Sequence, residues 1–302
     1  MLNARAMATS IMVFACAQAA AEKPKETLEV DPFAKVSVGS FHKDRGVWRY
    51  NVTSKYQKGE NLVEVLLPDH YDAGRAYRVL YVLPVETGIG GRYGDGLMEV
   101  KKLGAHNRHQ LVCVTMAFDQ LPWYADHATD KQRQHESYIT RVIVPFIESK
   151  YTTKGNAAGR LLLGFSKSGW GAFTLILRNP DLFARAASWD APLMFTDWDK
   201  WPSRSWTAPF GSEETFRAFS PAALIEARAA AFKKDPARLI LLGPGNFKQD
   251  AITMHEAMKR LGVQHTFDHT LDSRHDWHSG WVKPAIEYLT ADASKATKEN
   301  MP

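Results

Sequence analysis

Cysteine is scarce in this chain of 302 residues, which contains only Cys16 and Cys113. Cys113 lies in the apolar segment QLVCVTMAF, where a cysteine behaves as a small buried residue. After removal of an N-terminal leader that includes Cys16, Cys113 would stand alone, and one cysteine forms no internal disulfide. A disulfide scaffold is therefore excluded.

The chain also lacks basic clusters, long apolar runs after its N-terminus and the spacings of metal sites. Its 38 Lys and Arg residues are scattered among 33 Asp and Glu residues, and the formal net charge is +5. No nucleic-acid motif, membrane span or HExxH-type ligand spacing is present. We therefore expect no nucleic-acid partner, no integral membrane segment, no metal and no organic cofactor.

The N-terminus has the features of a secretory signal peptide. Arg5 precedes an apolar stretch from Ala6 to Ala17, and small residues surround a cleavage point near Ala19. Residues 1–19 are therefore predicted to be a signal peptide, which places the mature protein outside the cell or in the periplasm. Lipid attachment at Cys16 is disfavoured because Phe14 is bulky where the processing site needs a small residue.

Residues 36–292 are predicted to form one α/β domain, between a flexible lead-in (20–35) and a polar tail (293–302). Apolar residues make up 45% of the chain, enough for a substantial core. Strand patterns alternate with helix patterns, which indicates a mainly parallel central sheet with helices on both faces. The predicted strands are 47–53, 61–68, 77–84, 109–118, 160–165, 184–190, 237–243 and 263–270, and the predicted helices are 135–151, 166–178, 250–262 and 279–289.

Residues 194–236 interrupt this alternation and are predicted to form a small cap over one end of the sheet. The segment is rich in aromatic residues. These side chains either pack the cap internally or line an acyl or sugar pocket, and the residues concerned are Trp198, Trp201, Trp206 and Phe210.

Ser166 stands on a turn between a strand and a helix, in the sequence GFSKSG. Catalysis in parallel sheets gathers at the carboxyl ends of strands, and a nucleophile there needs small neighbours two residues away on either side. Gly164 and Ser168 occupy these positions. The usual motif G-x-S-x-G has glycine where this chain has Ser168. Ser166 is therefore a candidate nucleophile, or else a small residue at a chain reversal.

A serine nucleophile requires a histidine base and an acid that orients it. His275 follows the last predicted strand and is the candidate base, with His278 close by. The acid is expected after the strand ending at Gly243, where the first candidate position holds Asn246, so Asp250 is predicted as the acid. Asp250 could equally cap the following helix, and Asp190 is a weaker candidate for the acid.

An oxyanion hole needs two backbone donors. The N–H of Lys167, directly after the nucleophile, is one. The other is expected in the loop PVETGIGG after the strand 77–84, from Val85 or Glu86, with the Glu86 carboxylate turned away from the developing charge.

Four segments resemble the esterase family of α/β-hydrolases, which includes esterase D, feruloyl and acetyl-xylan esterases and mycolyltransferases. They are GFSKSGWGAFTLILRNPDLF, HESYITRVIVPFIESKY, FGSEETFRAFSP and RHDWHSGW, and the resemblance runs from about residue 61 to 289. It implies an α/β-hydrolase fold with Ser166 as nucleophile and His275 as base. The chain departs from the family at Asn246, where members commonly carry an acid, and at PVETGIGG, which replaces a His-Gly-type loop.

These observations favour a secreted serine hydrolase that cleaves a small-molecule or glycan carboxylic ester through an acyl-enzyme. Two alternatives stay open. Asn246, Ser168 and Glu86 are compatible with a catalytically degenerate hydrolase that acts as a binding protein. Acyl transfer to a sugar or alcohol would use the same residues as hydrolysis.

Overall fold

The computed structural model describes residues 34–196, 198, 208–233, 237–243 and 245–291. The predicted signal peptide and polar tail, nearly all of the lead-in, and Trp201 and Trp206 in the cap lie outside these residues. The predictions made for those segments therefore stay predictions.

Ten strands of the described chain form one open, mixed sheet with the order β1-β3-β4-β6-β5-β7-β8-β9-β10, and β2 pairs with β3. The strands from β6 to β10 in this order run parallel, while β3 and β4 are antiparallel to their neighbours. The bounds are β1 Lys35–Val36, β2 Ser40–His42, β3 Val47–Ser54, β4 Gln57–Leu66, β5 Arg78–Val82, β6 Leu111–Met116, β7 Arg160–Phe165, β8 Arg185–Trp189, β9 Leu239–Leu242 and β10 His265–Asp268.

Helices cover both faces of the sheet because successive side chains of the central strands point to opposite faces. In β5, for example, Val79 and Tyr81 belong to one buried cluster, and Leu80 and Val82 to the other. The helices are α1 Gly96–Lys102, α2 Ala105–Arg108, α3 His135–Tyr138, α4 Val144–Lys150, α5 Ser166–Arg178, α6 Glu213–Phe219, α7 Pro221–Arg228, α8 Lys248–Leu261 and α9 Val282–Thr290. This architecture confirms the predicted α/β-hydrolase class.

The predicted helix 135–151 contains an irregularity, which does not lie at Pro145, the residue at which its sequence suggests a kink. A π-helical segment, Ile139–Ile143, joins α3 to α4, and Pro145 then lies in the first turn of α4. Proline is tolerated there because the first N–H groups of a helix have no partner within it. The irregularity therefore precedes the proline. Helices α1 and α2 were not predicted.

The connectivity brings four loops together at the carboxyl ends of the parallel strands. Strand β5 lies between β6 and β7, so the chain reverses its direction of winding beside β5. Ligand sites of open α/β sheets lie at such points. The loops that follow β5, β7, β8 and β10 carry the candidate oxyanion loop, Ser166, Asp190 and His275, respectively.

Candidate active site

Ser166 occupies a strained turn at the point where β7 ends and α5 begins. Its φ is +52°, a left-handed conformation that non-glycine residues rarely adopt. The turn is crowded, since a Cβ on Gly164 would collide with the carbonyl group of Ser168. A serine presented on a sharp strand-to-helix turn is the arrangement of the nucleophile in α/β-hydrolases.

Ser168, which departs from the G-x-S-x-G motif, stabilises this turn. Its hydroxyl accepts a hydrogen bond from the Phe165 N–H at 3.0 Å and donates one to the Phe165 carbonyl at 2.9 Å. The next residue, Gly169, packs against β8 so closely that a Cβ there would lie 2.6 Å from Ser188 Oγ. The serine is therefore accommodated at the motif position and adds local hydrogen bonds.

His275 lies in the loop between β10 and α9, beside the residue that precedes the serine. Its ring contacts the ring of Phe165 with centroids 5.1 Å apart and the ring of Tyr93 at 5.3 Å. Its Nδ1 lies 2.6 Å from Asp190 Oδ2. When Nδ1–H donates to a carboxylate, Nε2 carries a lone pair and can accept a proton.

Asp190 is the carboxylate that pairs with His275, and it directly follows β8. Its side chain is fully buried and its φ is +41°. The backbone N–H of Phe247 donates to Oδ1 at 2.5 Å, so both carboxylate oxygens are engaged. A Cβ on Gly245 would collide with the carboxylate of Asp190, so any larger residue there requires the carboxylate or the loop to shift.

The prediction that Asp250 is the partner of His275 is wrong. Helix α8 begins at Lys248, so Asp250 lies in its first turn, and its Oδ1 accepts the N–H of Met194 at 2.9 Å. Burial raises the pKa of this carboxyl, and the Met194 N–H opposes that shift. The N-cap alternative is also wrong, because Asp250 stands inside the helix.

Asn246, at the position where the family commonly has an acid, is exposed. The loop that contains it nevertheless contributes to the site, because Gly245 and Phe247 on either side enclose the Asp190 carboxylate. The sequence did indicate Asp190, which stands at the end of a buried strand, but the family position favoured the next loop.

His278, close to His275 in the sequence, has a separate carboxylate partner. Its Nδ1 lies 2.7 Å from Oε2 of Glu99, a buried residue of α1. The two histidine–carboxylate pairs are thus distinct, and only the His275 pair contacts the residue next to Ser166.

The candidate oxyanion loop begins directly after β5. Val85 is buried, and the Glu86 carboxylate is turned along its own loop toward Gly91, where a Cβ would lie 2.5 Å from Oε2. On the other side, burial lowers the pKa of the Lys167 ammonium, and the charge of Glu86 opposes that effect. The Lys167 ammonium and the Glu86 carboxylate thus interact electrostatically beside the proposed oxyanion site.

The described part of the cap contains a buried aromatic cluster. Phe210 is fully buried among Trp123, Trp170 and Phe216, and Trp198 packs partly buried against the cluster. These two cap residues therefore have a packing role, because the cluster joins the cap to Trp170 of α5 and to Trp123 in the loop before α3.

Among the described residues, no three His, Cys, Asp or Glu side chains are grouped so that they could hold a metal ion. No described helix combines the length and the apolar character needed to cross a bilayer.

The sheet order defines an α/β-hydrolase fold, with a strained serine and a histidine–carboxylate pair at the carboxyl ends of its strands. The family model described as "Putative esterase" matches residues 54–287, and the chain belongs to this family. The resemblance to the esterase family that the sequence indicated is confirmed. Membership of this family supports a hydrolase that acts on esters.

Curated relatives and solved structures agree with this class. Esterase Rv1288 of Mycobacterium tuberculosis (strain ATCC 25618 / H37Rv) is 27% identical over 168 residues, which are 54% of this chain and 36% of that protein. The matched segment thus spans about a third of the relative. A ferulic acid esterase structure has a TM-score of 0.62 at 20% identity, covering 85% of this chain and 96% of its own. The structure of an S-formylglutathione hydrolase from Agrobacterium tumefaciens has a TM-score of 0.65 at 16% identity, and the match covers 85% of this chain and 98% of that one. At these identities the structural matches show the fold.

Proposed function

We propose that this protein is a serine hydrolase that cleaves carboxylic esters with Ser166 as nucleophile, His275 as base and Asp190 as the orienting acid. The observation that carries the proposal is the 2.6 Å contact between His275 Nδ1 and the buried Asp190 carboxylate, beside the strained turn of Ser166. Membership of the esterase family supports the reaction class.

In the proposed reaction, Ser166 Oγ attacks the acyl carbon while His275 Nε2 takes the hydroxyl proton. The resulting oxyanion accepts hydrogen bonds from the Lys167 N–H and from a donor in the Val85–Glu86 loop. His275 then gives its proton to the leaving alkoxide, and the alcohol departs. Water attacks the acyl-enzyme with His275 again accepting a proton, and His275 then returns this proton to Ser166 Oγ as the acid is released.

Asp190 has a defined role in this cycle. With Nδ1–H donated to Oδ2, the imidazole presents Nε2 to the serine in the state that accepts a proton. The positive charge that then forms on His275 lies beside a carboxylate, which stabilises it. The Phe247 N–H satisfies the second oxygen and keeps the carboxylate aimed at His275.

The substrate is proposed to be a small-molecule or glycan ester, and the mature protein is proposed to start near Ala20 and to act outside the cell or in the periplasm. The family resemblance and the N-terminal pattern support these points. Sequencing the N-terminus of the protein recovered from the medium or periplasm tests the second point. An uncleaved Met1 would contradict it.

The test of the activity measures hydrolysis of p-nitrophenyl acetate and butyrate by the mature chain, together with labelling by a fluorophosphonate probe. Ser166→Ala and His275→Ala are expected to abolish turnover, and Ser166→Ala to abolish labelling. The matched carboxylate control, Asp250→Asn, is expected to retain both. A wild-type protein that is inert to both esters and to the probe would favour the binding-protein alternative.

A further inference from the structure

Tyr124 connects the nucleophile helix to the candidate oxyanion loop. It lies between β6 and α3, is fully buried and has a φ of +53°. Its hydroxyl donates a hydrogen bond to the carbonyl oxygen of Pro84, the residue that precedes Val85 and Glu86. A buried tyrosine in a rarely adopted backbone conformation is thus bonded to the start of this loop.

The ring of Tyr124 also rests on α5, the helix that begins at Ser166. A Cβ on Gly171 would collide with the tyrosine ring, so the ring occupies the space that any other residue at 171 would fill. On another side the ring meets that of Phe118, edge to face, with centroids 5.7 Å apart. The position of the hydroxyl is therefore fixed relative to α5.

The bond to Pro84 constrains a catalytic donor directly. The Pro84 carbonyl and the Val85 N–H belong to one planar trans peptide unit, so they point in opposite directions. A hydrogen bond that fixes the carbonyl also fixes the direction of that N–H and the path of the chain into Glu86. The other donor, the Lys167 N–H, belongs to α5, on which the same tyrosine rests.

We propose that Tyr124 is a positioning residue that holds the two halves of the oxyanion hole at a fixed separation. This inference rests on the proposed ester hydrolysis. An oxyanion hole stabilises charge only when its donors are preorganised around the position that the oxyanion will occupy. Loss of the Tyr124 hydroxyl should therefore weaken transition-state binding more than substrate binding.

The test compares Tyr124→Phe with Tyr138→Phe. Both tyrosines are fully buried and contact Phe118, but the Tyr138 hydroxyl has no hydrogen-bond partner among the described residues. Tyr124→Phe is expected to lower kcat for p-nitrophenyl butyrate about 10- to 100-fold. Removing an oxyanion-hole donor altogether lowers kcat roughly 10²–10³-fold, and the variant only misaligns one. KM should stay within about twofold, since substrate binding makes little use of the oxyanion donors.

A boronic acid that forms a tetrahedral adduct with Ser166 provides a second readout. Its affinity for Tyr124→Phe is expected to fall by the same factor as kcat, whereas Tyr138→Phe should bind it as the wild type does. Thermal unfolding is measured first, and the kinetics are run well below the lowest midpoint. A purely structural role would lower the midpoint and leave kcat and the boronic acid affinity unchanged in the folded fraction.

Two results would overturn the inference while the proposed function stands. One is a Tyr124→Phe enzyme with wild-type kcat and inhibitor affinity. The other is a Tyr124→Phe protein that does not fold, which would assign the bond to stability. A wild-type protein that neither turns over esters nor reacts with a fluorophosphonate would overturn the proposed function, and the positioning role with it.

Discussion

Replacing Asp190 with asparagine should nearly abolish turnover without unfolding the protein. The side chain keeps its shape, and its amide oxygen can still accept the Phe247 N–H that now binds Oδ1. The amide nitrogen would then face His275 Nδ1, which at present lies 2.6 Å from Oδ2. Because that nitrogen is a donor, Nδ1 must become the acceptor and the ring proton must move to Nε2.

An imidazole with its proton on Nε2 cannot accept the hydroxyl proton of Ser166. In serine proteases, which use the same triad on a different fold, exchanging the acid for its amide lowers kcat by about 10⁴. That factor corresponds to about 5 kcal/mol of transition-state stabilisation. We expect a loss of this order here, because the described residues offer His275 no other carboxylate partner.

The assay measures steady-state kcat for p-nitrophenyl butyrate, with thermal unfolding as a control for folding. Asp250→Asn is the matched variant, since it also exchanges a partly buried carboxylate for an amide that can still accept the Met194 N–H. It should retain kcat within about threefold. The reasoning fails if Asp190→Asn stays within about tenfold of the wild type, or if Asp250→Asn loses as much.

Three further predictions concern the surroundings of the triad and the core. Gly245→Ala should lower kcat about 10²-fold because its Cβ must displace the Asp190 carboxylate; unchanged kinetics would show that the loop moves instead. Ser168→Ala should keep kcat within about threefold but lower the free energy of unfolding by about 1–2 kcal/mol, because the Phe165 N–H loses a partner; a loss of turnover would contradict this. Burial lowers the pKa of His135 to about 3, below its ordinary value of 6.5. Between about pH 3 and pH 6.5 the unfolded chain therefore binds more protons at this residue than the folded chain does. The unfolding free energy should therefore fall as the pH drops from about 6.5 toward 3, by as much as about 5 kcal/mol, and urea titrations should show a flatter profile for His135→Leu.

The sequence was sufficient to predict the sheet and the positions of Ser166 and His275 at the carboxyl ends of its strands. Buried strands followed by amphipathic helices leave few alternative topologies, and Ser166 and His275 each follow a strand whose carboxyl end had to meet the others. These predictions depend on local patterns and on strand order. Both can be derived from a single chain.

The carboxylate that pairs with His275 could not be predicted in the same way. Asp190 and Asp250 both follow a strand within a few residues, and the choice between them depends on where each loop turns after its strand. Three features decide which carboxylate reaches His275. Asp190 has a φ of +41°, Gly245 leaves space for its carboxylate, and α8 begins before Asp250. Contacts of this kind join residues far apart in the sequence, as does the bond from Tyr124 to Pro84, and no local pattern encodes them.

The strained backbone of the described chain bears on whether the hydrolase is degenerate. Four non-glycine residues there have positive φ, namely Gln110, Tyr124, Ser166 and Asp190. Such conformations cost about 1–3 kcal/mol each and persist where the surrounding structure enforces them, often at functional sites. Three of the four belong to the proposed nucleophile, its acid and the tyrosine at the oxyanion loop. Such strain occurs at active sites and at ligand clamps alike, so its concentration at these three residues marks a functional site. Reaction of Ser166 with a fluorophosphonate then decides between an enzyme and a protein that only binds its ligand.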